Sequence, residues 1–151
     1  MGYFTSNGCT LFFEDQGSGP PLVFLHEFGG DTRSWRQQIA FFAPRYRCLA
    51  LSPRGYPPSD VPDDDDAYGW QVNIDDAAAL LDYLEIPSAH FIGLSMGAYS
   101  GLMLAVQRPD RVQSLVAASG GSGAWPESRA DFIAACYRLA DLAVAQAHMP
   151  A

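Results

Sequence analysis

The sequence predicts an α/β protein built on a mostly parallel, doubly wound sheet that opens with an antiparallel hairpin. Three observations carry this. Short apolar runs bounded by turn residues alternate along the chain with segments of helical period. The connections between them are short, which suits parallel βαβ units. The runs at 22–26, 47–52 and 89–94 are apolar throughout or nearly so, as expected of strands covered on both faces. A chain of 151 residues is long enough for one domain with its own core.

Taken in order, residues 10–15 (TLFFED) follow an Asn7-Gly8 turn and read as a strand paired with 3–6 in a hairpin. The turn GSGPP leads into the buried strand 22–26, and the glycine-rich loop EFGGDT follows, with Asp31 or Thr32 as helix N-cap. Helix 34–42 places Trp35, Ile39 and Phe42 on one face. Strand 47–52 is followed by a long loop, 53–67. Helix 71–85 carries a stripe of Ile74, Ala78, Leu81 and Leu84, and Pro87 closes it. Strand 89–94 runs directly into helix 96–107, which stops before Pro109 because the residue ahead of a proline disfavours helical geometry. Strand 112–119 comes next. From Trp125 onward, Phe132, Cys136, Leu139 and Ala143 recur at helical spacing.

Composition excludes several classes of function. The chain is 48% apolar and 13% aromatic, a globular composition, and its net charge is −8. Its nine basic residues are all arginine and are scattered. Without a basic patch, such a protein is repelled by phosphate backbones and by anionic lipid, so neither nucleic acid nor a membrane is an expected partner. The N-terminus has neither a basic start nor an apolar run, and no stretch is long enough to span a bilayer. Cys9, Cys48 and Cys136 are too far apart for a metal site or a disulfide framework, which favours a reducing cytoplasm. No metal and no cofactor is expected.

In open parallel sheets, ligands sit outside the carboxyl ends of the strands. Loops 27–31, 52–60 and 95–97 meet that condition. The third contains Gly93-Leu94-Ser95-Met96-Gly97, a G-x-S-x-G pattern between a strand and a helix. The pattern has a physical reason. The serine must occupy a strained backbone conformation for its hydroxyl to stand clear of the sheet. Strand and helix then pass so closely that residues two positions either side must be glycine. The helix starts at the serine, so its free N–H groups face any negative charge that develops there. A plain tight turn with a serine cap is the bland alternative. The dinucleotide pattern G-x-G-x-x-G is absent, and a phosphate-binding G-K-[ST] cannot exist without lysine.

At this point the sequence resembles the α/β-hydrolase fold family. His26-Glu27-Phe28-Gly29-Gly30 looks like that family's His-Gly loop, and Arg54-Gly55-Tyr56-Pro57-Pro58-Ser59-Asp60 looks like its R-G-x-G-x-S loop. The motifs occur in the family's order and match its N-terminal half. The resemblance implies Ser95 as nucleophile. It also implies an oxyanion hole made by the backbone N–H groups of Phe28 and Met96, supported by His26, Gly29, Gly93 and Gly97. Removing one such donor costs about 3–4 kcal/mol of transition-state stabilisation. Three departures stand out: Glu27 where glycine is usual, Pro57-Pro58 in the second loop, and Ser52 where aspartate is common.

A serine needs a base. In this family the chain order is serine, acid, histidine. His26 belongs to the oxyanion loop. His90 precedes Ser95 by a strand length, ~16 Å, which is too far for proton transfer. His148 falls in the expected lid helix, without an orienting carboxylate. Asp63 to Asp66 read as a solvated turn, and Asp131 and Asp141 as the polar face of the last helix. The expectation is therefore a truncated α/β-hydrolase core over 1–123 and the start of a helical lid over 124–151, ending before the acid and histidine of the triad. That would make the chain either a fragment or a naturally short product. The implied function is hydrolysis of an ester, amide or related acyl small molecule. Serine at 95 excludes the dehalogenase and epoxide hydrolase types, which need aspartate there. A cofactor-free perhydrolase, a lyase-like member and a non-catalytic binding fragment remain as alternatives. Strand 112–119 would be an exposed apolar edge, a route to self-association.

Overall fold

Asn7 and Gly8 both take positive φ, 46° and 76°, and turn the chain tightly between β1 (Gly2–Ser6) and β2 (Cys9–Gln16). Such paired left-handed residues match the twist of an antiparallel hairpin, which explains why Asn-Gly lies there. This computed structural model describes residues 1–120 together with 130, 134, 135, 137 and 138. The chain divides into two compact units, Met1–Gly120 and Gly121–Ala151. The segment expected to begin a lid lies almost wholly outside the described residues, with Asp131, Phe132, Cys136, Leu139, Asp141, Ala143 and His148 among those outside.

Beyond the hairpin come β3 (Pro21–Leu25), α1 (Arg36–Phe42), β4 (Arg47–Ser52), α2 (Trp70–Tyr83), β5 (Ala89–Leu94), α3 (Met96–Gln107) and β6 (Val112–Ala118). The six strands form one sheet in the order β1-β2-β4-β3-β5-β6. The β4-β3-β5-β6 part is parallel, and β1 and β2 join it antiparallel, β2 pairing with β4.

Alternate residues of the central strands feed two cores, which is why these strands read as continuously apolar. Val23, Leu25, Leu49, Leu51 and Phe91 pack with Ile74, Leu80 and Leu81 of α2 and Leu104 of α3. Leu22, Phe24, Cys48 and Ala50 pack on the opposite face with Trp35 and Ile39. Each fully buried side chain of this size contributes about 1.5–3 kcal/mol. The expected helix 34–42 is divided: Thr32–Trp35 form a 3-10 turn capped by Asp31, and regular helix starts at Arg36. α2 ends at Tyr83, and Glu85 leaves it at φ 55°.

This topology positions the site. The chain leaving β3 goes to the α1 face, and the chain leaving β5 goes to the α2–α3 face. β3 and β5 are neighbours, so a crevice opens between their carboxyl ends, the switch point of a doubly wound sheet. Among the described residues β6 has β5 as its one neighbour, and no helix is long and apolar enough to cross a membrane.

Candidate active site

One residue separates β5 from α3. Ser95 has φ 50° and ψ −109°, a region costing an L-residue about 1–3 kcal/mol. The surroundings hold it there. Its N–H donates to the Ala118 carbonyl at the end of β6 (2.9 Å), and its carbonyl accepts from Tyr99 N–H (3.0 Å). A Cβ at Gly93 would collide with the Gly97 carbonyl, and one at Gly97 with the backbone of Leu25 and His26. Both glycines are thus required by backbone approach, and the second presses the elbow against the end of β3. No side chain caps the start of α3, so its first N–H groups are free of side-chain partners.

The loop after β3 lies on the other side of the crevice. His26 is 1% exposed, and its Nδ1–H donates to the Glu27 carbonyl (2.8 Å). Burial holds the His26 pKa below its usual value, against the opposing Glu27 hydrogen bond and nearby carboxylates, so the ring is kept neutral. Gly30 N–H donates to the Glu27 carbonyl (3.0 Å), closing a turn whose third residue, Gly29, has φ 76°. Phe28 lies at the tip, 51% exposed. The Glu27 carboxylate lies against Gly30 and accepts the Ser34 hydroxyl (3.0 Å). The residue that departs from the family pattern therefore braces the loop towards α1.

The loop after β4 joins the other two through a residue the sequence reading did not single out. The Tyr56 ring meets His26 edge-on at 4.7 Å between centroids. Its hydroxyl accepts from Gly29 N–H at 3.5 Å and donates to the Met96 sulfur at 3.8 Å. One phenol thus touches both of the other loops. Burial pushes its pKa up. Ser52 fixes the loop by donating to the Tyr56 carbonyl (2.8 Å), a use for the hydroxyl that stands where aspartate is common. Ser59 donates to the Ser52 carbonyl and accepts from Phe12 N–H (2.6 and 2.8 Å). Beneath lies a second feature missed in the sequence. Arg54 makes a two-pronged ion pair with Asp76 of α2 (2.8 and 2.7 Å), the side chains being 5% and 0% exposed. Arg54 and Asp76 stand 22 positions apart on a loop and a helix, and no spacing rule marks them as partners.

Gly93, Ser95, Met96 and Gly97 therefore share one turn, with His26, Phe28 and Gly29 on the adjacent loop. His90 starts β5, at the end away from Ser95, and its Nδ1 pairs with the Ser114 hydroxyl (2.8 Å).

Comparisons with known proteins agree with this geometry. The sequence model of the alpha/beta hydrolase fold family matches residues 20–143. The chain is 34% identical over 123 residues to 3-oxoadipate enol-lactonase 2 of Acinetobacter baylyi, covering 78% of this chain and 45% of that protein. It is 36% identical over 111 residues to an epoxide hydrolase of Caballeronia sordidicola, covering 73% and 34%. The crystal structure of the Burkholderia xenovorans enol-lactonase superposes with a TM-score of 0.72 at 30% identity, covering 77% of this chain and 45% of that one. The Bacillus megaterium epoxide hydrolase gives 0.73 at 31%, covering 76% and 40%. The chain thus spans half or less of the length of these relatives. A strained Ser95 between two obligatory glycines, in a sheet of this order and with this match across most of its length, makes the chain a member of the α/β-hydrolase family.

Proposed function

We propose that Ser95 is the nucleophile of a hydrolase acting on an ester, lactone, amide or related acyl small molecule. The Phe28 and Met96 N–H groups would receive the oxyanion. The observation that carries this reading is the backbone of Ser95: a positive φ costs stability and is maintained by packing on both sides. Attack by the Ser95 oxygen on a carbonyl forms an acyl-serine ester, which water cleaves to release acid and regenerate the serine. Attack on an oxirane would instead leave an alkyl ether on Ser95, which water does not readily cleave. This chemistry favours the lactonase-like relatives over the epoxide hydrolases as guides to substrate. A general base must take the Ser95 proton. His26 is held by the Glu27 carbonyl and His90 lies at the far end of β5, so the base is sought outside the described residues.

A fluorophosphonate probe with peptide mapping tests the reading. Label is expected on Ser95 in a folded protein that also carries the base, and its loss in urea and in Ser95→Ala. Equal labelling of Ser95→Ala refutes it. A second reading, self-association through β6, is favoured by the exposure of Gln113, Ser114, Val116 and Ala117 on an uncharged strand with one neighbour among the described residues. Sedimentation should then show a dimer that Val116→Lys returns to monomer. A monomer in the unaltered protein refutes it.

A further inference from the structure

Behind the elbow, on the α2–α3 side of the sheet, lies a small cavity of about 20 Å³. Leu25, Leu51 and Met96 give it apolar walls, and His26, Asn73 and Ser100 bring polar side chains to it. The state of His26 follows from its bonds. A carbonyl only accepts, so the contact between Nδ1 and the Glu27 oxygen (2.8 Å) requires the proton on Nδ1. In the neutral ring Nε2 is then an acceptor. Nε2 is buried and has no hydrogen-bond partner among the described residues. Leaving such a group unmet costs about 1–3 kcal/mol, and native structures almost always satisfy it.

The other two polar groups have complementary capacity. The Ser100 hydroxyl donates to the Met96 carbonyl (3.1 Å), which leaves its oxygen free to accept. The Asn73 amide, which can both donate and accept, lines the same cavity. A buried water needs roughly 10–15 Å³ of such space and two to four polar partners. A metal ion would need further nitrogen, sulfur or carboxylate ligands, which this cavity does not offer.

We infer that the cavity is a built site for one water molecule, which donates to His26 Nε2 and Ser100 Oγ and accepts from the Asn73 amide. The water joins the loop after β3 to α2 and α3 from within, while Tyr56 joins it to the elbow from outside. It also makes His26 a positioning residue: with both ring nitrogens engaged, the imidazole fixes the loop carrying Phe28 and has no nitrogen free for proton transfer at Ser95. This inference does not depend on the proposed hydrolysis, and its test reads no turnover.

The test uses nitrogen-15 imidazole spectra of the full 151-residue chain together with water–protein cross-relaxation. Expected are a protonated Nδ1, an unprotonated hydrogen-bonded Nε2, and a cross peak of long-residence sign between water and the His26 ring protons. Asn73→Leu, which fills the cavity with a side chain of similar size, should abolish that cross peak. Ser100→Ala, which removes the hydroxyl that could relay the signal by exchange, should keep it. An Nε2–H tautomer or a missing water peak in the unaltered protein overturns the inference. So does a peak that survives Asn73→Leu or vanishes in Ser100→Ala. The unaltered protein decides the matter even if a variant fails to fold.

Discussion

Asp76→Ala is the most informative perturbation of the scaffold. Asp76 is fully buried, and both its carboxylate oxygens receive hydrogen bonds from Arg54 (2.8 and 2.7 Å). Truncation removes two charge-assisted bonds, worth about 1.5–3 kcal/mol each. It leaves a guanidinium that is 5% exposed. The Ser6 and Ala67 carbonyls, both at 3.2 Å, still accept from that guanidinium and soften the loss. The expected destabilisation is therefore about 3–4 kcal/mol, at the lower end of the range for breaking a buried pair. Domains of this size are stable by about 5–15 kcal/mol, so much of the stability would go. With a urea slope of about 2 kcal/mol per molar, the unfolding midpoint should fall by about 1.5–2 M. Urea titration followed by tryptophan fluorescence and circular dichroism measures this. The double variant Arg54→Met with Asp76→Leu should recover most of the loss, because no charge is then buried without its partner. A loss below about 1 kcal/mol in Asp76→Ala would show that the pair does not anchor the Tyr56 loop to α2.

Two further outcomes follow from single residues. Ser95→Gly relieves a backbone held at φ 50°, a gain of about 1–3 kcal/mol against about 0.5–1 kcal/mol for glycine's freedom in the unfolded chain, so it should melt higher than Ser95→Ala while taking up no probe; a lower melting temperature refutes the strain. His26, held below its usual value near 6.5 by burial, binds a proton more readily in the unfolded chain. Its contribution to stability is full above that value and declines as pH falls from there through the lower folded value, so unfolding free energy should rise with pH across this window. His26→Gln should flatten that slope, and an unchanged slope would mean that the ring is not held neutral.

Much of this architecture is local and was legible for that reason. Continuous apolar runs mark strands covered on both faces, and β3, β4 and β5 fall on them within a residue. The elbow was legible because a backbone collision writes glycine at fixed offsets from the serine. Helix ends were less so. The start of α1 shifted to Arg36 because Asp31 caps a tighter turn first, and α2 ended at Tyr83 because Glu85 adopts a left-handed backbone.

The sequence by itself determined the α/β class and the strand-turn-helix at Ser95, since these follow from periodicity and steric offsets. Only the tertiary structure decided that Tyr56 reaches Met96, that Arg54 pairs with Asp76, and that His26, Asn73 and Ser100 line one cavity. Those contacts join residues 22 to 74 positions apart, and strand order rather than spacing along the chain brings them within a hydrogen bond's length or around one cavity.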